Sequence, residues 1–155
     1  MILSELIDPS SVKFLHGVTS KKRLFQSVAS VAAPHCQIQQ DVIVHALINR
    51  EDLGATGVGN GVALPHARLE GLDRIIGCFI RLDRPVDYNA VDRQPVDLVF
   101  SLFAPMEGGV AHLKALAAVS RTLRNTEVRE KLRSNEDPNT LYEVLLGASQ
   151  TSAAA

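Results

Sequence analysis

Two apolar, β-rich runs, residues 75–82 (IIGCFIRL) and 96–103 (VDLVFSLF), lie in the middle of the chain with helix-periodic sequence on either side. Runs of strand length need other elements to cover them. The order helix, helix, strands, helices therefore predicts an α/β fold: a single-domain sandwich whose mixed β-sheet of about five strands is flanked by helices. A simple βαβ repeat does not fit that order.

The flanking segments carry their own start and stop signals. The first 18 residues read as a short helical turn and an extended segment. Thr19 and Ser20 offer an N-cap for KKRLFQSVASVAA, where Leu24, Val28 and Val31 recur at helical spacing and Pro34 is expected to end the helix. A second helix, DVIVHALINRE, opens at Asp41, carries Ile43, Ala46 and Leu47 on one face and stops at Gly54. Asn60-Gly61 between short apolar stretches predicts a hairpin turn. Residues 81–85 and 92–95 read as turns. In the last third Leu113, Leu116, Ala117 and Leu123 mark one helix, and residues 126–133 form a second. Asp137-Pro138 caps a third, which is expected to end at Gly147. The unit thus spans residues 1–147. The remaining ASQTSAAA, residues 148–155, has nothing large to bury and is expected to be a mobile tail.

At 155 residues the chain is long enough for one domain with a sizeable core. Its net charge of −1 argues against nucleic acid or a membrane surface as a partner held by bulk charge. No apolar run approaches the ~20 residues that span a bilayer. The N-terminus has Glu5 and Asp8 but no basic region of a secretory signal. Cys36 and Cys78 are far apart and read as reduced packing residues, so a cytoplasmic location is expected. No cofactor is expected.

The chemistry concentrates in TGVGNGVALPHAR, residues 56–68. Pro65 stands where a nucleotide-binding glycine loop would begin its helix, so that reading fails. His66 instead follows a fixed backbone at the end of a short strand, and Gly57, Gly59 and Gly61 allow close approach of an anion or a bulky partner. His112 falls near the start of a helix preceded by Gly108-Gly109, where open N–H groups favour an anion. Arg50, just before the glycine loop, offers forked hydrogen bonds to a phosphoryl group or a carboxylate. No HxH, HxxxH or CxxC spacing supports a metal site.

The run from Arg50 to His66, REDLGATGVGNGVALPH, resembles the signature of the fructose/mannitol/nitrogen class of enzyme IIA components of the bacterial phosphotransferase system. The similarity extends through Gln94-Pro95-Val96-Asp97-Leu98 and Ala111-His112-Leu113, and covers residues 2–146. GVGNGVALPHARLE, AVDRQPVDLVFSL and an expected stand-alone length resemble the nitrogen-regulatory branch. Ala67 stands where many members have Gly, and Met106-Glu107-Gly108-Gly109 is this chain's version of a variable loop.

The resemblance implies that His66 accepts a phosphoryl group from a histidine phosphocarrier protein. Arg50 and His112 would stabilise that group, and Thr56 would add a hydroxyl. It implies a phosphohistidine carrier and not a turnover enzyme. Its output would be regulation of partner proteins, such as potassium-transport components or sensor kinases. A sugar-transport IIA subunit passing phosphate to a IIB domain is the alternative.

Overall fold

The structure, a computed structural model, describes residues 3–154, with side chains through Ala148; Met1, Ile2 and Ala155, the last residue of the expected tail, lie outside it. Two 3-10 turns (Leu3–Glu5 and Pro9–Ser11) lead into β1 (Val12–Leu15). Then come α1 (Lys21–Cys36), α2 (Gln40–Leu53), β2 (Gly57–Gly59), β3 (Val62–Ala63) and β4 (His66–Leu69). β5 (Ile76–Val86), β6 (Val96–Pro105), α3 (Gly109–Arg124), α4 (Thr126–Arg133) and α5 (Pro138–Ala154) complete the chain.

The sheet has six strands in the order β1-β5-β6-β3-β2, with β4 also paired to β6. β5 and β6 are antiparallel, as are β2 and β3, whereas β1 runs parallel to β5, and β3 and β4 run parallel to β6. The two apolar runs thus become the central strands, almost wholly buried. One face packs on α1 and α2 through Leu24, Val28, Ile43, Leu47, Ile80 and Phe103. The other packs on α3 to α5 through Phe79, Phe100, Leu102, Val119, Leu132 and Leu141.

Several local signals act as expected. Ser20 accepts a hydrogen bond from the Arg23 N–H and starts α1. Asn60 and Gly61 both have positive φ, 58° and 76°, the requirement of a type I′ turn, and join β2 to β3. Asp137 accepts from the Asn139 N–H at the start of α5.

Other elements differ, each for a tertiary reason. Pro34 lies inside α1, which continues to a left-handed Gln37; Pro34 sits in the last turn and the buried Cys36 beyond it anchors the end. β5 runs on through Arg81-Leu82-Asp83-Arg84-Pro85 to Val86. Its pairing with β6 skips from Arg81 to Val86, so the proline sits in the unpaired bulge. On α3 the buried face is His112, Ala115, Ala118, Val119, Thr122 and Leu123, and Leu113 is 66% exposed. Small residues let that face, and not the leucine stripe, lie close to the sheet. α5 does not stop at Gly147 but continues to Ala154, in a stretch whose alanines and glutamine favour helix.

β3 and β4 form one path along β6, in register from Ala63↔Val99 to His66↔Leu102. Leu64 and Pro65 interrupt it, since a proline has no N–H to pair, although its carbonyl still accepts from Leu102. His66 accordingly opens β4 and does not close a Val-Ala-Leu strand. Strand alternation puts it with Arg68 on the face toward α3, and buries Ala67 and Leu69 on the other.

Two of the glycines before it are closely approached by the chain's own residues. A Cβ on Gly57 would come within 2.6 Å of the Ala90 Cβ, and one on Gly61 would collide with Arg133, which binds Asp97 and the Asn60 carbonyl. Gly57→Ala is therefore expected to lower stability by about 2 kcal/mol, read as the urea midpoint at constant slope. An unchanged midpoint would show that Ala90 can move aside.

Candidate functional site

Three elements converge on the edge formed by β4. Arg50 comes from the last turn of α2, His66 from the start of β4 and His112 from the first turn of α3. The rings of His66 and His112 lie edge to face with centroids 5.5 Å apart. The Arg50 Nε–H donates to His66 Nε2 at 3.2 Å, and Arg50 Nη1 donates to the Gly54 carbonyl at 3.0 Å. That second bond ties the guanidinium to the end of its own helix and limits its motion.

The other imidazole nitrogen has an equally definite partner. His66 Nδ1 lies 2.8 Å from the Leu64 carbonyl oxygen, which can only accept. The proton is therefore on Nδ1 and the lone pair on Nε2, where the cleft opens. Burial holds the His66 imidazole below its ordinary value; the Leu64 carbonyl and Glu51 pull upward, and Arg50 adds to the lowering. The ring is thus held neutral, with its proton on Nδ1 and its lone pair on Nε2.

His112 is 6% exposed, and burial, His66 and Arg68 push its imidazole down to about 4. Its Nε2 has no hydrogen-bond partner among the described residues. The Gly108 N–H, expected to be open, donates to the Pro105 carbonyl.

Thr56 does not join this group. Its hydroxyl is buried, donates to the Glu51 carboxylate and accepts from the Tyr88 hydroxyl at 2.8 Å. The same carboxylate accepts from the Thr56 N–H at 3.1 Å and from Lys21 Nζ at 2.6 Å, and Lys21 lies 4.4 Å above the Tyr88 ring. The Thr56 carbonyl then accepts from the Leu64 N–H. This network fixes the peptide that holds His66, which is a supporting task and not a ligand's.

Sequence reasoning missed Glu51, Tyr88, the Leu64 carbonyl and Arg68. Arg68 had a signal: in HARL it is two residues after His66 and so on the same strand face. Glu51 and Tyr88 had none, because their link is made across 37 positions by folding.

The histidine pair sits in an open cleft of about 470 Å³ that also reaches Arg68, Leu53, Leu113 and Leu116. A second groove of about 340 Å³, lined by Val58, Leu64 and Ala117, meets it at Arg50 and His66. Leu53 is 84% exposed, Val110 and Leu113 each 66%, and Val58 48%. An apolar surface therefore surrounds a neutral imidazole flanked by a guanidinium. Such a site can take an anionic group onto nitrogen from a macromolecule that docks flat. Among the described residues no cluster of three His, Cys, Asp or Glu side chains stands ready for a metal ion. Cys36 and Cys78 are free and buried. No helix of the described residues is long and apolar enough to cross a membrane.

Residues 5–147 match the family model described as phosphoenolpyruvate-dependent sugar phosphotransferase system, EIIA 2. A nitrogen regulatory protein of Bradyrhizobium diazoefficiens is 42% identical over 153 residues, covering 99% of this chain and all of that one. The crystal structure of nitrogen regulatory protein IIA-Ntr from Neisseria meningitidis superimposes with a TM-score of 0.85 at 32% identity, covering 92% of this chain and 98% of the other. IIA mannitol from Escherichia coli shares the fold, with a TM-score of 0.73 at 20% identity over 90% of this chain and 98% of its own. The chain belongs to the EIIA 2 family of the phosphoenolpyruvate-dependent phosphotransferase system, in its nitrogen-regulatory branch.

Proposed function

We propose that this protein is a regulatory phosphoryl acceptor of the nitrogen phosphotransferase system, taking a phosphoryl group on His66 Nε2 from a histidine phosphocarrier protein. The observation that carries the reading is the pair of bonds on one ring: Nδ1–H to the Leu64 carbonyl, and the Nε2 lone pair toward Arg50 and the open cleft. The functional unit is residues 1–147, and it works in the cytoplasm.

The chemistry follows from that ring. The Nε2 lone pair attacks phosphorus in line, while the bond from phosphorus to the carrier's nitrogen breaks and its electron pair stays on that nitrogen. Such a transfer needs placement and charge stabilisation more than proton transfer. The phosphoryl oxygens carry nearly two negative charges. Arg50 is 3.2 Å from the attacking nitrogen and its N–H turns to an oxygen when phosphorus replaces it. His112 supplies the second polar partner from α3. The added charge appears in the middle of an apolar docking surface, so it makes or breaks binding of regulated proteins without a change of fold. Potassium-transport components and sensor kinases are the targets that the resemblance implies.

Incubation with phosphoenolpyruvate, enzyme I and a phosphocarrier tests the reading. One acid-labile phosphoryl group is expected by intact mass, and no uptake from a nitrogen-branch or a sugar-branch carrier would sink it. Onward transfer to a IIB cysteine would favour the sugar-transport alternative. Arg50→Ala is expected to slow uptake roughly tenfold to a hundredfold, as loss of a charged donor does. Unchanged kinetics would return Arg50 to a helix-end role.

A further inference from the structure

We infer that phosphorylation of His66 draws a solvent proton onto His112, so that the protein gains its phosphoryl group and a proton together. This rests on the phosphoryl-acceptor reading and concerns a different residue. In the unphosphorylated protein every nearby group opposes an imidazolium at His112. From β4 it faces His66 and Arg68, and from the end of α2 it faces Arg50. Its own helix presents the positive end of its dipole there. Glu107, on the turn into α3, is exposed, and the Glu51 carboxylate is engaged by Lys21 and Thr56.

Yet the buried His112 Nε2 has no partner, and an unsatisfied buried polar atom is costly. The His66 ring is 5.5 Å away, centroid to centroid. Transfer forms the Nε2–P bond on His66 and leaves its Nδ1–H on the Leu64 carbonyl, so no proton of His66 has to move. What changes for His112 is the arrival of roughly −1.5 to −2 of charge beside it. An opposite charge within ~4–6 Å raises a histidine's value by 1–3. From about 4, His112 then titrates at roughly 5 to 7 and donates Nε2–H to a phosphoryl oxygen. The phosphorylated form binds more protons, so it gains on the unphosphorylated form as pH falls from its own His112 value toward about 4, by up to about tenfold per pH unit.

Nitrogen-15 NMR of histidine-labelled protein decides it, with and without phosphorylation by the carrier system or by phosphoramidate, from about pH 8 down to about pH 5. The expected result is a His112 ring that stays neutral down to about pH 5 without the phosphoryl group and takes up its second proton with a midpoint of roughly 5 to 7 with it. An identical His112 response to pH in both states, with phosphorus-31 coupling showing His66 loaded, would overturn the inference alone. Absence of phosphohistidine from either donor would overturn the acceptor reading beneath it.

Discussion

His66→Ala is expected to abolish phosphoryl uptake completely and to leave the fold in place. No other described histidine combines its features. His112 is buried and pushed down to about 4, His16 is paired with Asp83, and His35 lies against Asp8 and Ser10. His45 sits on the exposed side of α2, away from the Leu64 carbonyl and the Arg50 bond. The structural cost is small because His66 is only half-buried and Arg50 can turn to water. Loss of its two hydrogen bonds costs about 1 kcal/mol in all, a few degrees in melting temperature at this size. Intact mass after incubation with the donor system checks the first part, and a thermal melt the second. A variant that still carries one acid-labile phosphoryl group would remove His66 from the mechanism.

Glu51→Ala is expected to be the most destabilising single change around the site. Its carboxylate side chain is 8% exposed and accepts from the Thr56 N–H, the Thr56 hydroxyl and Lys21. Removing it strands the buried Thr56 N–H, leaves the Thr56 hydroxyl with Tyr88 alone, and leaves a partly buried ammonium without its counter-charge. Because Lys21 keeps 26% exposure, the loss falls at the low end for a broken buried pair, about 3 kcal/mol, or roughly 6–12 °C. Phosphoryl uptake should slow as well, because the Thr56 carbonyl holds the Leu64 N–H and the Leu64 carbonyl holds His66. Glu51→Gln keeps an acceptor for the Thr56 N–H and should fall between the two. A melting temperature within 2 °C of the parent for the alanine variant would mean that water replaces the carboxylate.

What could be read from the sequence is what neighbours along the chain decide. Ser20 caps α1 through a bond three residues on, Asn60-Gly61 turns through its own backbone angles, and Asp137 serves the first turn of α5. The apolar runs that become β5 and β6 announced the central strands and hence the layered fold. The motif around His66 singled that residue out, and Arg50 and His112 converge on it in space.

Folding decided matters that depend on contacts between distant residues. A proline in the last turn of α1 costs little because Cys36 is held in the core. Which stripe of α3 meets the sheet is set by the close approach that Ala115 and Ala118 permit, so Leu113 turns to the surface of the site. Thr56 belongs to Glu51 and Tyr88, and the glycines of the hairpin are filled by Ala90 and Arg133. The tautomer of His66 also came from tertiary structure, since the backbone bend at Leu64-Pro65 brings a carbonyl to Nδ1. Sequence alone determined which residue types were available near His66; the packing of α2, β4 and α3 around one sheet edge determined which atoms of each face one another.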